Sequence, residues 1–363
     1  MVFISYINGL LKFFFRTYSL KFKYPFGVSG HTRSETHSVF LAIEYDGITG
    51  FGEACLPSYL GEGVKETLDF LARCRPLIEK FNPQNKLDAL LDKIDALSTG
   101  CNAAKAGVDI AMHDLLAKYH NTTLARWRNI PVMKSRSTSF TIGIDNEEVI
   151  AKKIREATLY EVLKIKAGTS NDCALIETIR KYTSKPLYVD VNQGWKQKEY
   201  VLEMLQWMKT QNVLLLEQPM PKEMKTEMQW VTERSPIPTF ADESVKRLRD
   251  LKDMAGAFSG VNIKLMKCTG PNEALKMIDY CRQHNLKVFL GCMAESSCGT
   301  AAMAQLMALA DYIDLDAPEL YVNDPFEGLR YKNGKIWLNN EPGLGVRWLG
   351  SPFDQVRPLQ ISS

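Results

Sequence analysis

At 363 residues, 45% hydrophobic and 24% charged, the chain is long enough for a full barrel plus a modest second unit, with the composition of an ordinary globular protein. Its net charge of +3, with acids and bases interspersed, gives no case for nucleic acid or an anionic membrane surface as a partner. No apolar run approaches the roughly 20 residues that cross a bilayer, and the eight cysteines form no CxxC pair, which reads as reduced thiols in a cytoplasmic protein.

Residues 1–15 are apolar, but Asn8, Gly9 and Lys12 interrupt the run and no small-residue cleavage site follows. They read as a first strand with a short extension rather than a signal peptide. Residues 15–24 predict a strand, 27–36 a Gly/Ser/Thr loop, 38–45 a second strand and, after the turn Asp46-Gly47, 49–53 a third. Helical spacing follows in two pieces, marked by Val64, Leu68 and Leu71 and by Leu87, Leu91 and Ile94, with Pro76 and Pro83 between them. A further helix is predicted over 102–119. Strands followed by helices make a small α+β unit.

From residue 139 strand and helix alternate. Strands are predicted at 139–144, 162–166, 187–191, 213–217, 238–241, 260–264, 287–291 and 312–315, the eight that a closed parallel barrel requires. A hairpin around Asn333-Gly334 and the turn Gly343-Leu344-Gly345 complete the chain.

Several of these strands end in ionisable residues. Lys164-Ile165-Lys166, Asp190-Val191-Asn192, Glu217-Gln218-Pro219, Asp242-Glu243 and Asn262-Ile263-Lys264 recur roughly every 25 residues, the length of one strand-plus-helix unit. In a (β/α) barrel such positions converge on one mouth. Asp190, Glu217 and Asp242 would repel one another there unless a cation lay between them, and hard oxygen ligands in an open arrangement suit Mg²⁺. Lys164 and Lys166, two apart on a strand, share a face, with Lys264 across the mouth. A lysine beside another lysine and a divalent cation is expected to have its pKa pulled down, which makes it usable as a base. Lys267, the rival to Lys264, is expected in the following loop. A base on each side of a carboxylate substrate suggests inversion at the α-carbon by racemisation or epimerisation.

The order KxK, DxN, ExP, DE, NIK resembles the enolase superfamily, in its muconate-lactonizing-enzyme subgroup, over nearly the whole chain. The resemblance implies a modified (β/α) TIM-like barrel, residues 126–327, behind an N-terminal α+β capping domain, residues 1–125. Residues 328–363 would return to the cap. It further implies Lys166 and Lys264 as the acid/base pair, with Lys164 assisting electrostatically. Asp190, Glu217 and Asp242 would be the Mg²⁺ ligands, supported by Asn192 and Glu243.

Asp314-Leu315-Asp316 on the eighth strand is similar to the DxD motif of dipeptide epimerases, where the two aspartates hold the substrate's α-ammonium. Thr141, Cys292 and Ala294 match positions that line the dipeptide in that family. His31 stands where members acting on Ala-Glu place an arginine, with Arg33 two residues on. That departure points to an uncharged or small apolar second residue instead of glutamate, unless a shifted loop brings Arg33 to the substrate. Tyr59, in the loop 56–61, would wall the substrate. The implied activity is a Mg²⁺-dependent dipeptide epimerase. The rivals are an o-succinylbenzoate synthase or N-acylamino-acid racemase, a muconate-type cycloisomerase, and a catalytically silent barrel. The expected partner is a small dipeptide, with a homo-oligomer compatible with the sequence.

Overall fold

The computed structural model describes residues 10–28, 31–56, 61–351 and 353, without the side chains of residues 25–28 and 31–33. Three antiparallel strands open the chain: β1 (Lys12–Val28), β2 (His31–Tyr45) and β3 (Ile48–Cys55). Of the loop expected over 27–36, residues 27–28 and 31–36 are strand. Phe26 to Val28 pair with Arg33 to His31 beyond an irregularity in register between Lys21 and Phe26. The polar, Gly-containing composition suggests a loop, yet a bulge re-aims such a hairpin and lets its ladder continue.

Helices α1 (Val64–Glu79), α2 (Leu87–Asp95) and α3 (Asn102–Tyr119) follow. Pro76 does not separate two pieces as expected, but sits inside α1. A proline removes one helical hydrogen bond. The buried face of Phe70, Leu71, Cys74 and Ile78 holds that last turn in place. α3 is buried on every side from Asn102 to Ala117. It lies so close to β3 that a Cβ at Gly50 would fall 2.3 Å from the Ala111 carbonyl oxygen, and one at Gly52 would fall 2.0 Å from that of Gly107. No side chain fits at either position.

A short helix α4 (Leu124–Trp127) and strand β4 (Ser135–Ser137) lead to an eight-stranded parallel sheet. Its strands are β5 (Ser139–Ile142), β6 (Val162–Lys166), β7 (Leu187–Asp190), β8 (Val213–Glu217), β9 (Thr239–Ala241), β10 (Gly260–Ile263), β11 (Lys287–Gly291) and β12 (Tyr312–Asp314), neighbours in that order. Helices α5 (Glu147–Glu156), α6 (Asp172–Arg180), α7 (Lys198–Thr210), α8 (Lys225–Thr232), α9 (Leu248–Asp253), α10 (Leu265–Cys268), α11 (Pro271–Gln283) and α12 (Ser297–Ala304) fill the crossovers. This is an enolase-type barrel carrying a separate capping unit.

Seven neighbouring pairs are joined by parallel ladders. The eighth junction, between β12 and β5, is spanned by side chains. Ser139 Oγ donates to Asp314 Oδ1 at 2.6 Å, and Thr141 N–H donates to Asp316 Oδ2 at 2.7 Å. Leu315 N–H donates to Thr138 Oγ1 at 2.8 Å.

Alternation along each strand sets layers inside the barrel. Tyr188, Leu215, Phe240 and Phe289 pack together with Val162 and Tyr312 as an apolar plug. Two residues further along those six strands stand Asp190, Glu217, Asp242, Gly291, Lys164 and Asp314. The charged layer therefore rests directly on the aromatic one, with the Lys164 ammonium 5.5 Å from the Phe289 ring centre.

The C-terminal chain adds β13 (Phe326–Glu327), β14 (Arg330–Lys332), β15 (Lys335–Trp337) and β16 (Arg347–Trp348). β14 and β15 form the expected hairpin, with Asn333 and Gly334 both at positive φ, the geometry of a tight two-residue turn. Trp348 and Phe326 pack against Phe40 of the cap sheet, and Leu344 N–H donates to Asp114 of α3. Among the described residues no helix is long and apolar enough to cross a membrane. All eight cysteines are free.

Candidate active site

At the C-terminal ends of β7 and β8 and just beyond β9, the Asp190, Glu217 and Asp242 carboxylates meet. Each offers a ligand oxygen, all within 4.8 Å of one another, and all three residues are buried. The chain leaves these strands through left-handed backbone at Asn192 (φ 47°), Gln193 (φ 68°) and Gln218 (φ 36°), which is strained for glutamine. Gln218 is buried and holds the turn with its side chain. Its Oε1 accepts from the N–H of Asp242 (2.9 Å) and Ser244 (3.1 Å).

Four lysines surround the cluster. Lys166 Nζ lies 2.7 Å from Asp190 Oδ2, and Lys264 Nζ lies 2.7 Å from Asp242 Oδ2. β6 and β10 stand four places apart in the ring, so these two lysines face each other across the mouth. Lys164 Nζ sits between Asp314 Oδ2 (2.7 Å), Glu217 Oε2 (2.8 Å) and Asp190 Oδ2 (3.5 Å). Lys267 is not in a loop as expected. It lies on α10, buried, with Nζ 2.5 Å from Asp242 Oδ1.

These neighbours set the protonation balance. Burial pulls the Lys164 pKa down, but Asp314, Glu217 and Asp190 together hold it well above the ordinary lysine value. Three carboxylates face its ammonium. Asp190 stays below the usual carboxylate range because Lys166 and Lys164 outweigh its burial, and Asp242 is lowered because Lys264 and Lys267 do the same. Glu217 is raised by burial and by Asp190. Asn262 donates from Nδ2 to Glu217 Oε1 at 2.7 Å, while Glu217 Oε2 faces the Lys164 ammonium at 2.8 Å.

The donor set fits a hard divalent cation. Three buried carboxylates converge, like charges that a cation between them would relieve, and oxygen ligands suit Mg²⁺. Asn192 Nδ2 donates to Glu243 Oε1 at 3.2 Å, behind the cluster. Glu243 is pushed up to about 7 by burial and by Asp242.

On the far side stand the two aspartates of the DxD motif, both buried. Asp314 is held low because Lys164 outweighs its burial, whereas burial and Asp314 push Asp316 up to about 7. Thr141 meets Asp316 through its backbone N–H, and Cys292 Sγ lies 3.2 Å from the Asp314 carbonyl oxygen. The Ala294 carbonyl accepts from Tyr321 Oη at 2.6 Å. The His31 and Arg33 side chains and Tyr59 lie outside the described residues.

Sequence reading missed Asn262, Gln218, Glu53 and Glu295. Asn262 had a signal, since it lies two residues before Lys264. Glu295 is buried, has Oε2 without a hydrogen-bond partner, and is pushed up to about 8 by burial and by Glu53. Glu53 lies two residues before the end of β3, and no period links either glutamate to the site.

Residues 12–127 match the mandelate racemase / muconate lactonizing enzyme N-terminal domain, and residues 148–350 match the enolase C-terminal domain-like family. The chain belongs to the enolase superfamily. Within that superfamily it is 45% identical over 341 residues to the L-Ala-D/L-Glu epimerase of Bacteroides thetaiotaomicron, covering 94% of this chain and 88% of that one. Its fold superposes on the substrate-liganded L-Ala-D/L-Glu epimerase from Bacillus subtilis with a TM-score of 0.88 at 27% identity, covering 93% and 98% of the two chains. The dipeptide epimerase from Enterococcus faecalis, complexed with Mg and L-Leu-L-Tyr, gives a TM-score of 0.88 at 29% identity, covering 93% and 99%.

Proposed function

We propose that this isomerase of amino-acid derivatives is a dipeptide epimerase dependent on Mg²⁺, inverting the α-carbon of the C-terminal residue by proton transfer between Lys166 and Lys264. The observation that carries the reading is the pair of lysines facing each other across one carboxylate cluster.

Asp190, Glu217 and Asp242 would hold the cation, whose charge lowers the cost of placing negative charge on the substrate carboxylate. The chain's own residues do the rest. One lysine, as the neutral amine, takes the α-proton, and the C–H electron pair moves onto the carboxylate as an enediolate. The opposite lysine, as ammonium, returns a proton to the other face. Lys164, cationic and buried, stabilises the enediolate oxygens electrostatically. Asp314 and Asp316 accept from the substrate's free α-ammonium. That role separates a dipeptide from an N-acylated amino acid, which has no such ammonium.

The relative at 45% identity carries the name L-Ala-D/L-Glu epimerase, whereas His31 points to an uncharged second residue. A screen should therefore hold both classes. The test incubates the protein with Mg²⁺ in D₂O and pools of dipeptides, including L-Ala-L-Glu and L-Ala-L-Leu, beside N-succinyl amino acids. Gain of one deuteron in dipeptides alone is the expected result. Label confined to the N-succinyl pool would overturn the substrate class, and no label in any pool would overturn the activity.

A further inference from the structure

Lys267 is the lysine that the reaction above does not use. It lies three residues after Lys264, is 1% exposed, and packs on the side of Asp242 away from Lys264. An ammonium has three hydrogens, and Lys267 meets three oxygens: Asp242 Oδ1 at 2.5 Å, the Asp242 carbonyl at 2.6 Å and the Asn262 carbonyl at 2.9 Å. Every donor is committed to the protein, which leaves nothing to offer a substrate.

The same contacts tie the ends of two adjacent strands together. Asp242 follows β9 and Asn262 belongs to β10, and the Asn262 side chain orients Glu217. Lys267 is itself held from both sides. Its N–H donates to the Lys264 carbonyl at 2.9 Å, and its carbonyl accepts from Asn102 Nδ2 of α3 at 2.9 Å. Asn102 N–H in turn donates to Glu62 Oε1 at 2.6 Å, next to the loop 56–61. A continuous chain of hydrogen bonds therefore runs from Glu62 through Asn102 and Lys267 to Asp242.

We infer that Lys267 is a positioning residue: it pins Asp242 Oδ1 so that Oδ2 alone faces the carboxylate cluster, and thereby sets the affinity for the divalent cation without carrying a proton. This rests on the cation site proposed above. Removing Lys267 has two opposed effects. Loss of a nearby positive charge favours a cation, while a freed Asp242 can turn both oxygens onto Lys264 and withdraw from Asp190 and Glu217. Lys264 already lies 2.7 Å away, so the second effect wins.

The probe is Mn²⁺ alone, titrated by calorimetry into the full-length protein and its Lys267→Met variant. The dissociation constant should rise about tenfold. Deuterium exchange into L-Ala-L-Glu and L-Ala-D-Glu should fall by one common factor and recover in part at high Mn²⁺. Wild-type affinity in the folded variant, or loss of exchange from one epimer only, would overturn the inference, the latter because it marks a base. If Lys267→Met does not fold, Lys267→Arg keeps the charge but cannot match the three oxygens, and the same weakening is expected. Asn102→Ala leaves every charge in place and should weaken Mn²⁺ about threefold, and unchanged affinity there would count against the tether. If the unaltered protein binds no Mn²⁺, the cation site itself fails, which is distinct from equal binding by parent and variants.

Discussion

The backbone N–H of Thr141 donates to the Asp316 carboxylate at 2.7 Å across the one junction of the barrel that has no strand ladder. The residue proposed to bind the substrate ammonium also helps close the ring. Asp316→Asn separates the two tasks, because the amide oxygen can still accept from Thr141 while the negative charge is gone. A hydrogen bond to a charged group contributes about 1.5–3 kcal/mol. The KM for dipeptides should therefore rise about 10- to 100-fold with the melting temperature little changed, and N-succinyl amino acids should be unaffected. An equal rise for both classes would remove the ammonium-binding role.

Lys166→Ala and Lys264→Ala should each lower epimerisation about a thousandfold or more, within the range for loss of a general acid or base. Each variant should still exchange the α-proton of the one epimer whose base survives. Proton NMR in D₂O, starting from each epimer separately, reads this directly. Normal epimerisation by either variant would sink the two-lysine assignment.

Glu295 gives a pH dependence of stability. Its folded pKa, about 8, lies above the ordinary carboxylate value, so the folded state binds the extra proton. The contribution is present in full below about 4.5 and is lost as pH rises through about 8, on the order of a few kcal/mol. Glu53, pushed up to about 7 by burial, acts in the same direction. Melting temperature should fall from pH 5 to pH 8.5, and Glu295→Gln should flatten that slope in part. Identical slopes in parent and variant would show that Glu295 titrates alike in both states.

Gly291 ends β11 beside Asn262, where an added Cβ would fall 2.4 Å from Asn262 Oδ1. Gly291→Ala must therefore displace the side chain that orients Glu217. Overpacking of this kind costs about 1–3 kcal/mol. Urea unfolding should show that loss, and half-saturation by Mg²⁺ should rise in parallel. Unchanged Mg²⁺ dependence would mean that Asn262 does not position Glu217.

What sequence could and could not disclose follows from where each contact comes from. The barrel strands are short apolar runs that end in ionisable residues, and their period is local, so β6 with Lys164 and Lys166 or β7 with Asp190 is readable directly. Lys267 was not. Its burial depends on one turn of α10 carrying it back beneath Asp242, a partner 25 residues earlier in the chain. Pro76 and the stretch 27–36 misled in the opposite sense. Proline and small polar residues usually punctuate structure, but packing of α1 and pairing of β1 with β2 overrode that local preference. Glu53 and Glu295 come from different domains, and only the folded chain brings them together.

The Glu53 carboxylate, near the end of a cap strand, accepts from the N–H groups of Ser296 and Gly299 and from Ser296 Oγ, at the start of barrel helix α12. The first turn of a helix has no acceptors of its own. Until the cap is in place, then, the Ser296 and Gly299 N–H groups lack this acceptor, and the cap carboxylate in turn keeps the Ser38 hydroxyl but loses its barrel donors. Neither unit is complete alone. The two should melt in a single calorimetric transition, and an isolated barrel would be a poor starting point for engineering a smaller enzyme.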